Sequence, residues 1–199
     1  MNNQVSPTTT MNRRKALKQA SLVLGYAITG PTLAGVINGC GENRSLNWQP
    51  QFLTQDEVLL VEAACERILP SGNTPGATDA MVVKFVDQMV AEFYLPEDQQ
   101  YFSQGLEELK AQSQSTISKN FVDASPSQQD QLIQQQAEAA KVMASDGSKH
   151  FFLMLKELTI LGFFTSEVGA TQVLNYDEIP GGFQGCQPLD SVGGKTWAT

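Results

Sequence analysis

Histidine and cysteine are scarce in this sequence: its one histidine is His150, and its three cysteines are Cys40, Cys65 and Cys186. None of them forms the Cys-x-x-Cys or His-x-x-x-His spacing that binds zinc, haem or an iron–sulfur cluster. No phosphate-binding glycine loop stands between a strand and a helix, which argues against a nucleotide site. We therefore predict no catalytic centre, metal site or cofactor in this chain, and an independent redox or metal enzyme is the least favoured interpretation.

Basic residues are scarce beyond the N-terminus. All four charges among residues 1–39 are basic, so the remaining chain holds nine Lys and Arg against 21 Asp and Glu, a net charge of −12 compared with −8 for the whole chain. An acidic surface of this kind repels a phosphate backbone and anionic lipid headgroups. Nucleic acid is therefore not an expected partner.

The N-terminal segment has the order of a bacterial export signal, with a basic region followed by a moderately apolar stretch over residues 20–37. Its basic region resembles the twin-arginine motif, which is recognised by a translocase that carries folded proteins, although Ala16 stands where Phe is usual. The residues that carry this likeness are Arg13, Arg14, Leu17 and Lys18. We predict a signal peptide over residues 1–40, and an anchor helix that stays in place is the alternative.

A cysteine closes this segment. The small residues before Cys40 resemble a lipobox, in which the cysteine is acylated and becomes the new N-terminus, with Asn38 where Ala or Ser is typical. An ordinary cleavage site followed by an incidental cysteine is the alternative. Lipid chains on Cys40 would tether the protein to the membrane despite its acidic surface. The expected location is the periplasm, in association with the membrane.

Residues 41–199 are predicted to form one all-α domain, a small bundle of five to six helices with an irregular Gly/Pro-rich C-terminal tail. Two helix starts have clear capping signals, Thr54 with Glu57 and Ser125 with Gln128. No alternation of apolar and polar residues is long enough to build a sheet. The predicted helices cover residues 54–69, 79–95, 96–117, 125–144 and 150–165, with a short helix to residue 174.

The helix predicted over residues 150–165 is the most apolar. Apolar positions lie nearly all round it, so we expect a central core helix that is covered on both sides. It is short for a membrane span. His150 at its start is expected to be a cap or a core residue, and salt bridges or caps are favoured over chemistry for Glu157 and Glu167.

The cysteines beyond the signal differ in their surroundings. Cys65 lies mid-helix with the spacing of a small core residue, whereas Cys186 lies in the glycine-rich tail. An unpaired thiol in an exported protein suggests a disulfide to another chain. A Cys65–Cys186 bridge and a free thiol are the alternatives that the sequence leaves open.

The mature chain carries several distinctive segments. They are Arg67-Ile-Leu-Pro70, Thr74-Pro-Gly-Ala77, Leu161-Gly-Phe-Phe-Thr-Ser-Glu167 within residues 151–172, Asn175-Tyr-Asp-Glu-Ile-Pro-Gly181, Phe183-Gln-Gly-Cys186 and Thr196-Trp-Ala-Thr199. Together with the twin-arginine start, these segments resemble the gluconate 2-dehydrogenase subunit 3 family. The likeness covers most of the chain.

The resemblance implies a non-catalytic small subunit of a periplasmic, membrane-associated dehydrogenase. The implied partner is a large flavoprotein of the glucose-methanol-choline oxidoreductase type, which carries FAD and is often joined by a cytochrome c subunit. That partner usually lacks an export signal, so the small subunit would stabilise it and escort it through twin-arginine export. The implied interface residues are Phe163, Phe164, Thr165, Ser166, Glu167, Tyr176, Phe183 and Cys186. The alternative is a stand-alone periplasmic lipoprotein that binds envelope components.

Overall fold

The computed structural model describes residues 47–144, 150–179, 181–182 and 185–198. The chain divides into two units between Asn47 and Trp48, and every helix described below belongs to the second unit. Some predicted functional residues lie outside the described residues. They are Arg13, Arg14, Leu17, Lys18, Cys40 and Phe183.

Five α-helices within the described residues form a bundle. They are α1 (Gln55–Ile68), α2 (Val82–Phe93), α3 (Pro96–Ile117), α4 (Pro126–Ala144) and α5 (Phe151–Phe164). Short helical turns follow at Phe121–Asp123, Gly169–Val173 and Leu189–Val192. The described residues contain no named strand, and one isolated bridge pairs Asn175 with Trp197. The predicted all-α bundle with an irregular tail is confirmed.

The capping signals in the sequence do start helices. The Thr54 hydroxyl accepts a hydrogen bond from the backbone N–H of Glu57, whose carboxylate accepts the Thr54 N–H at 2.9 Å. Ser125 and Gln128 make the same exchange, with the Ser125 N–H donating to the Gln128 side-chain oxygen at 3.0 Å. Each pair satisfies N–H groups that a helix start leaves without intrahelical partners. The starts of α1 and α4 were therefore predictable from local chemistry.

Helix α2 begins at Val82 rather than at the predicted Asp79. The Glu66 carboxylate accepts the backbone N–H groups of Ser71 at 2.8 Å and Thr78 at 3.0 Å, which ties the intervening loop to the end of α1. The loop then enters α2 through Met81, whose φ of 51° is left-handed and cannot continue a helix. The late start therefore follows from a contact to Glu66, which is distant in sequence from Thr78.

The core is centred on α5, which packs against all four other α-helices. Leu155 and Thr159 on α5 are fully buried. The Thr159 hydroxyl lies 2.6 Å from the Leu155 carbonyl oxygen and 3.2 Å from the Cys65 sulfur of α1, so its polar group is satisfied inside the core. Burial of each large apolar side chain stabilises such a core by about 1.5–3 kcal/mol.

The expectation that α5 is covered on both sides is wrong. Its buried residues fall on one side, while Ile160 and Leu161 are exposed, Leu161 to 48%. The other four helices pack against one half of α5 and leave the other half in contact with solvent. No helix in the described part of the chain is long and apolar enough to cross a bilayer.

The segment before α1 is fixed to the bundle by one buried carboxylate. Asp87 of α2 accepts the backbone N–H groups of Gln51, Phe52 and Leu53 at 2.8, 3.0 and 2.8 Å. The Phe52 ring also meets Phe102 of α3 edge to face, with 6.3 Å between the ring centroids. The Phe52 side chain thus docks this segment, which we call the leader, on α3.

Candidate functional site

The solvent side of α5 carries apolar residues at helical spacing. Ile160 and Leu161 are exposed, and three further side chains on this side are half-buried, which are Leu153, Met154 and Phe164. Residues three and four apart on a helix lie on one face, so Ile160, Leu161 and Phe164 form one patch. Leu153 and Met154 lie about two turns earlier on the same side, and the exposed Glu157 stands between the two groups. We call this surface, made of Leu153, Met154, Ile160, Leu161 and Phe164, the α5 face.

The α5 face continues towards the end of α2. Phe85 of α2 lies against Gly162 of α5. Tyr94, nine residues after Phe85, and Met154, eight residues before Gly162, line one shallow hollow. The two helices therefore run antiparallel, which brings the end of α2 beside the start of α5. Phe93 and Leu95 are exposed at that end, Phe93 to 68%. Sequence analysis did not select Phe93, because its spacing on α2 is that of a core residue.

Phe163 and Phe164, the last two residues of α5, differ in their burial. Phe163 is only 3% exposed, so it belongs to the core and not to an exposed interface. Phe164 is half-buried on the other side of α5, and the two rings meet edge to face with centroids 5.2 Å apart. Phe163 was predicted to contact the partner together with Phe164; its burial corrects this, because its ring packs against the Phe164 ring from inside the bundle.

Thr165 and Ser166 are engaged by the end of α5. The Thr165 hydroxyl donates to the Leu161 carbonyl at 2.7 Å. The Ser166 hydroxyl donates to the Phe163 carbonyl at 2.6 Å and accepts the Gly169 N–H at 3.0 Å. These bonds close the helix and start the turn at Gly169–Val173, so the two hydroxyls shape the backbone here.

The acidic residues near this surface are exposed. Glu157 and Glu167 are both exposed, and neither forms an ion pair within the described part of the chain. The salt-bridge role predicted for them is therefore not found among these residues. Glu157 lies within the α5 face, four residues from both Leu153 and Leu161, and Glu167 lies just beyond its C-terminal end.

The C-terminal tail forms a closed loop beyond the turn. The Asn175 backbone N–H donates to the Thr196 carbonyl at 2.8 Å, and the Ala198 N–H donates to the Asn175 carbonyl at 2.8 Å. The loop leaves large apolar side chains in solvent, with Ile179 exposed to 83%. The others are Tyr176, Leu189 and Trp197. Tyr176 is thus exposed, as an interface residue must be.

The two described cysteines form no disulfide, and they differ in solvent exposure. Cys65 is buried, and burial raises the pKa of its thiol to about 12. Cys186 is exposed on the tail, with a left-handed φ of 55°. The structure contains no Cys65–Cys186 bridge, which removes that alternative for this conformation. A thiol as buried as Cys65 is unreactive, so Cys186 is the thiol that another chain can reach.

His150 caps α5, which is one of the two roles that the sequence left open for it. Its Nδ1 accepts the Phe152 backbone N–H at 3.1 Å, and burial lowers the pKa of the ring. It lines a hollow of about 300 Å³ together with Asp98 and Glu157. Within the described residues, no group of three or more His, Cys, Asp or Glu side chains could hold a metal ion.

Comparison with known proteins places these features in one family. The model of the family described as gluconate 2-dehydrogenase subunit 3 matches residues 55–181, from the start of α1 into the tail. No curated protein and no solved structure gives a match. The matched region contains the α5 face and Tyr176, whereas Cys186 lies beyond it.

Proposed function

The chain belongs to the gluconate 2-dehydrogenase subunit 3 family, and from this premise we propose that it is the non-catalytic small subunit of a periplasmic FAD-dependent dehydrogenase. In this proposal it stabilises a large flavoprotein of the glucose-methanol-choline oxidoreductase type and escorts it through twin-arginine export. The sugar or polyol is oxidised on the partner's FAD. Electrons then pass to a cytochrome c subunit or to a quinone.

The observation that carries this proposal is the α5 face. Leu161 and Ile160 are exposed on the most apolar helix of a chain whose mature part is strongly acidic. Contiguous exposed apolar surface on a soluble domain marks a site of interaction, because its transfer out of water is favourable. An apolar surface of the flavoprotein would cover the α5 face and the exposed end of α2.

Cys186 offers a covalent link to that partner. Its exposed position on the tail would let it form a disulfide with a cysteine of the flavoprotein. Two thiols would lose two protons and two electrons to a dithiol-oxidising enzyme of the periplasm as the S–S bond forms. A Cys186→Ser variant distinguishes a covalent link to the partner from non-covalent docking. If it still migrates with the partner on non-reducing gels, the link through Cys186 is absent and docking is non-covalent.

Export and location rest on the N-terminal sequence. Arg13, Arg14, Leu17 and Lys18 would direct the chain, with its folded partner, to the twin-arginine translocase. Acylation of Cys40 would then hold the complex at the membrane. Replacing Arg13 and Arg14 by Lys should strand the flavoprotein in the cytoplasm, whereas a Lys15→Arg control should leave its export unchanged. Export of the flavoprotein without the arginines would end the escort proposal.

The deciding experiment is affinity purification of the tagged full chain from solubilised envelopes, followed by visible spectroscopy and mass spectrometry. A yellow complex that contains a large flavoprotein supports the small-subunit function and provides an enzyme for substrate screening. A colourless chain that purifies alone, in mild detergent and at native expression level, contradicts it. That outcome would favour the stand-alone lipoprotein.

A further inference from the structure

Asn175 lies where the tail leaves the bundle. Its backbone N–H and its backbone carbonyl both form hydrogen bonds with residues at the C-terminal end of the tail. Besides the two backbone bonds to Thr196 and Ala198, its side-chain amide nitrogen donates to the Val192 carbonyl at 2.6 Å and to the Lys195 carbonyl at 2.8 Å. One amide nitrogen carries two hydrogens, so the two carbonyls use its full donor capacity. Asparagine is the shortest side chain that can make both bonds.

Further bonds hold the segment in which the loop returns to Asn175. The Lys195 ammonium donates to the Gln172 carbonyl at 3.0 Å, and the Gly194 N–H donates to the Leu189 carbonyl at 2.9 Å. Gly193 and Gly194 both have positive φ, 78° and 76°, which other residues rarely adopt. Together with the bonds of Asn175, these contacts join the start of the tail to its end.

The described residues of this closed loop form no core of their own. Their large apolar side chains, Tyr176, Ile179, Leu189 and Trp197, are all exposed. A loop of this length loses conformational entropy on closure and gains little from burial, so its hydrogen bonds must supply the closing free energy. The Asn175 side chain provides two of these bonds.

We propose that Asn175 is a positioning residue, a latch that fixes the tail in the conformation in which it docks on the large subunit. The inference rests on the proposed function. Tyr and Trp are the side chains that most often anchor protein interfaces, and prior closure of the loop removes the entropy cost of ordering them on binding.

The charges around the loop define the partner's surface. Asp177, Glu178 and Asp190 are exposed beside the apolar side chains, and the ammonium of Lys195 is turned back to Gln172. The loop therefore presents an apolar centre with an acidic rim. Its occupant is an apolar patch of the large subunit rimmed by Lys and Arg, and association should slow as salt is added.

The test replaces Asn175 by Asp, which keeps the shape and loses both donors, and by Ala, which loses them without adding charge. Asn73→Asp, the same change on an exposed loop before α2, is the matched control. The tagged full chain is captured with its partner under reducing conditions, so that a Cys186 disulfide cannot mask dissociation. Both Asn175 variants should release the partner at least about tenfold faster than the wild type.

Three results would be read differently. If both Asn175 variants hold the partner as long as the wild type and Asn73→Asp do, the latch is wrong while the proposed function stands. If the wild-type chain captures no flavoprotein, the proposed function itself fails. If the variants lower the melting temperature of the helical bundle, Asn175 supports the fold and the latch is also wrong. Faster hydrogen exchange confined to the tail, with the bundle unchanged, is the expected signature.

Discussion

Phe85 and Gly162 meet where α2 packs on α5, and the contact is too close for any other residue at position 162. A Cβ atom added there would lie 2.6 Å from Cδ1 and 3.0 Å from Cγ of the Phe85 ring. These atoms lie near the base of the ring, so a small rotation of the side chain cannot remove them. The glycine therefore sets the distance between the two helices that bear the exposed apolar surface.

Gly162→Ala should destabilise the bundle by about 1–3 kcal/mol, because overpacking outweighs the gain of about 1 kcal/mol that alanine brings to a helix. Urea unfolding of the variant measures the loss. In a Phe85→Ala background the ring is gone and only the Cβ of residue 85 remains near the added Cβ, at 3.2 Å, so the same substitution should cost much less. A Gly162→Ala variant more stable than the wild type would contradict the close contact.

Asp87→Asn should release the leader from the bundle. The carboxylate accepts three backbone N–H groups, and hydrogen bonds to a charged group are stronger than those to a neutral amide. The free energy of unfolding should fall by about 2 kcal/mol. Amide hydrogen exchange should accelerate at Gln51, Phe52 and Leu53.

The control for this variant is Asp79→Asn, since the Asp79 carboxylate accepts only the Gly76 N–H among the described bonds, at 2.8 Å. Its effect should be below about 1 kcal/mol. Equal losses for the two variants would show that Asp87 does not fix the leader.

The stability of the fold should decrease as the pH falls below the ordinary histidine range. Burial lowers the pKa of His150 from its usual 6.5, against the opposing field of Glu108. The unfolded chain therefore binds a proton at a higher pH than the folded chain does. The contribution of His150 is fully present above the unfolded pKa and is lost as the pH falls towards the folded pKa.

The measurement compares the free energy of unfolding at about pH 7.5 and about pH 5.5 for the wild type and His150→Asn. Asparagine can still cap α5 but does not titrate, so the variant should lose less stability over this interval. The chain has no second histidine, which makes the difference specific. If the free energy of unfolding changes with pH to the same extent in both proteins, His150 is not the source of the pH dependence.

Leu161→Glu should weaken binding of the flavoprotein by at least about tenfold while leaving the fold intact, because it places a second charge on the α5 face, between Glu157 and Phe164. Capture of the partner by the tagged chain measures this effect. Val142→Glu is the control, since Val142 is exposed on α4 to 73%. If both variants capture the partner equally well, the α5 face does not bind the flavoprotein.

Local sequence determines much of this fold. The capping residues Thr54 and Ser125 start helices where predicted, and His150 caps α5, because each contact joins residues two or three positions apart. The segments around Leu161 and Asn175 also pointed to the family that the chain belongs to. Interactions of this range can be recognised in a sequence without knowledge of the packing.

The tertiary structure alone decided which side of α5 faces solvent. Apolar residues surround this helix, so its periodicity does not distinguish buried Phe163 from exposed Leu161. The bonds of Asp87 to the leader and of Asn175 to the end of the tail likewise join residues that are distant in the chain. The burial of a residue depends on the number and placement of its neighbouring helices, and a hydrogen bond over a long sequence separation depends on the folded path of the backbone.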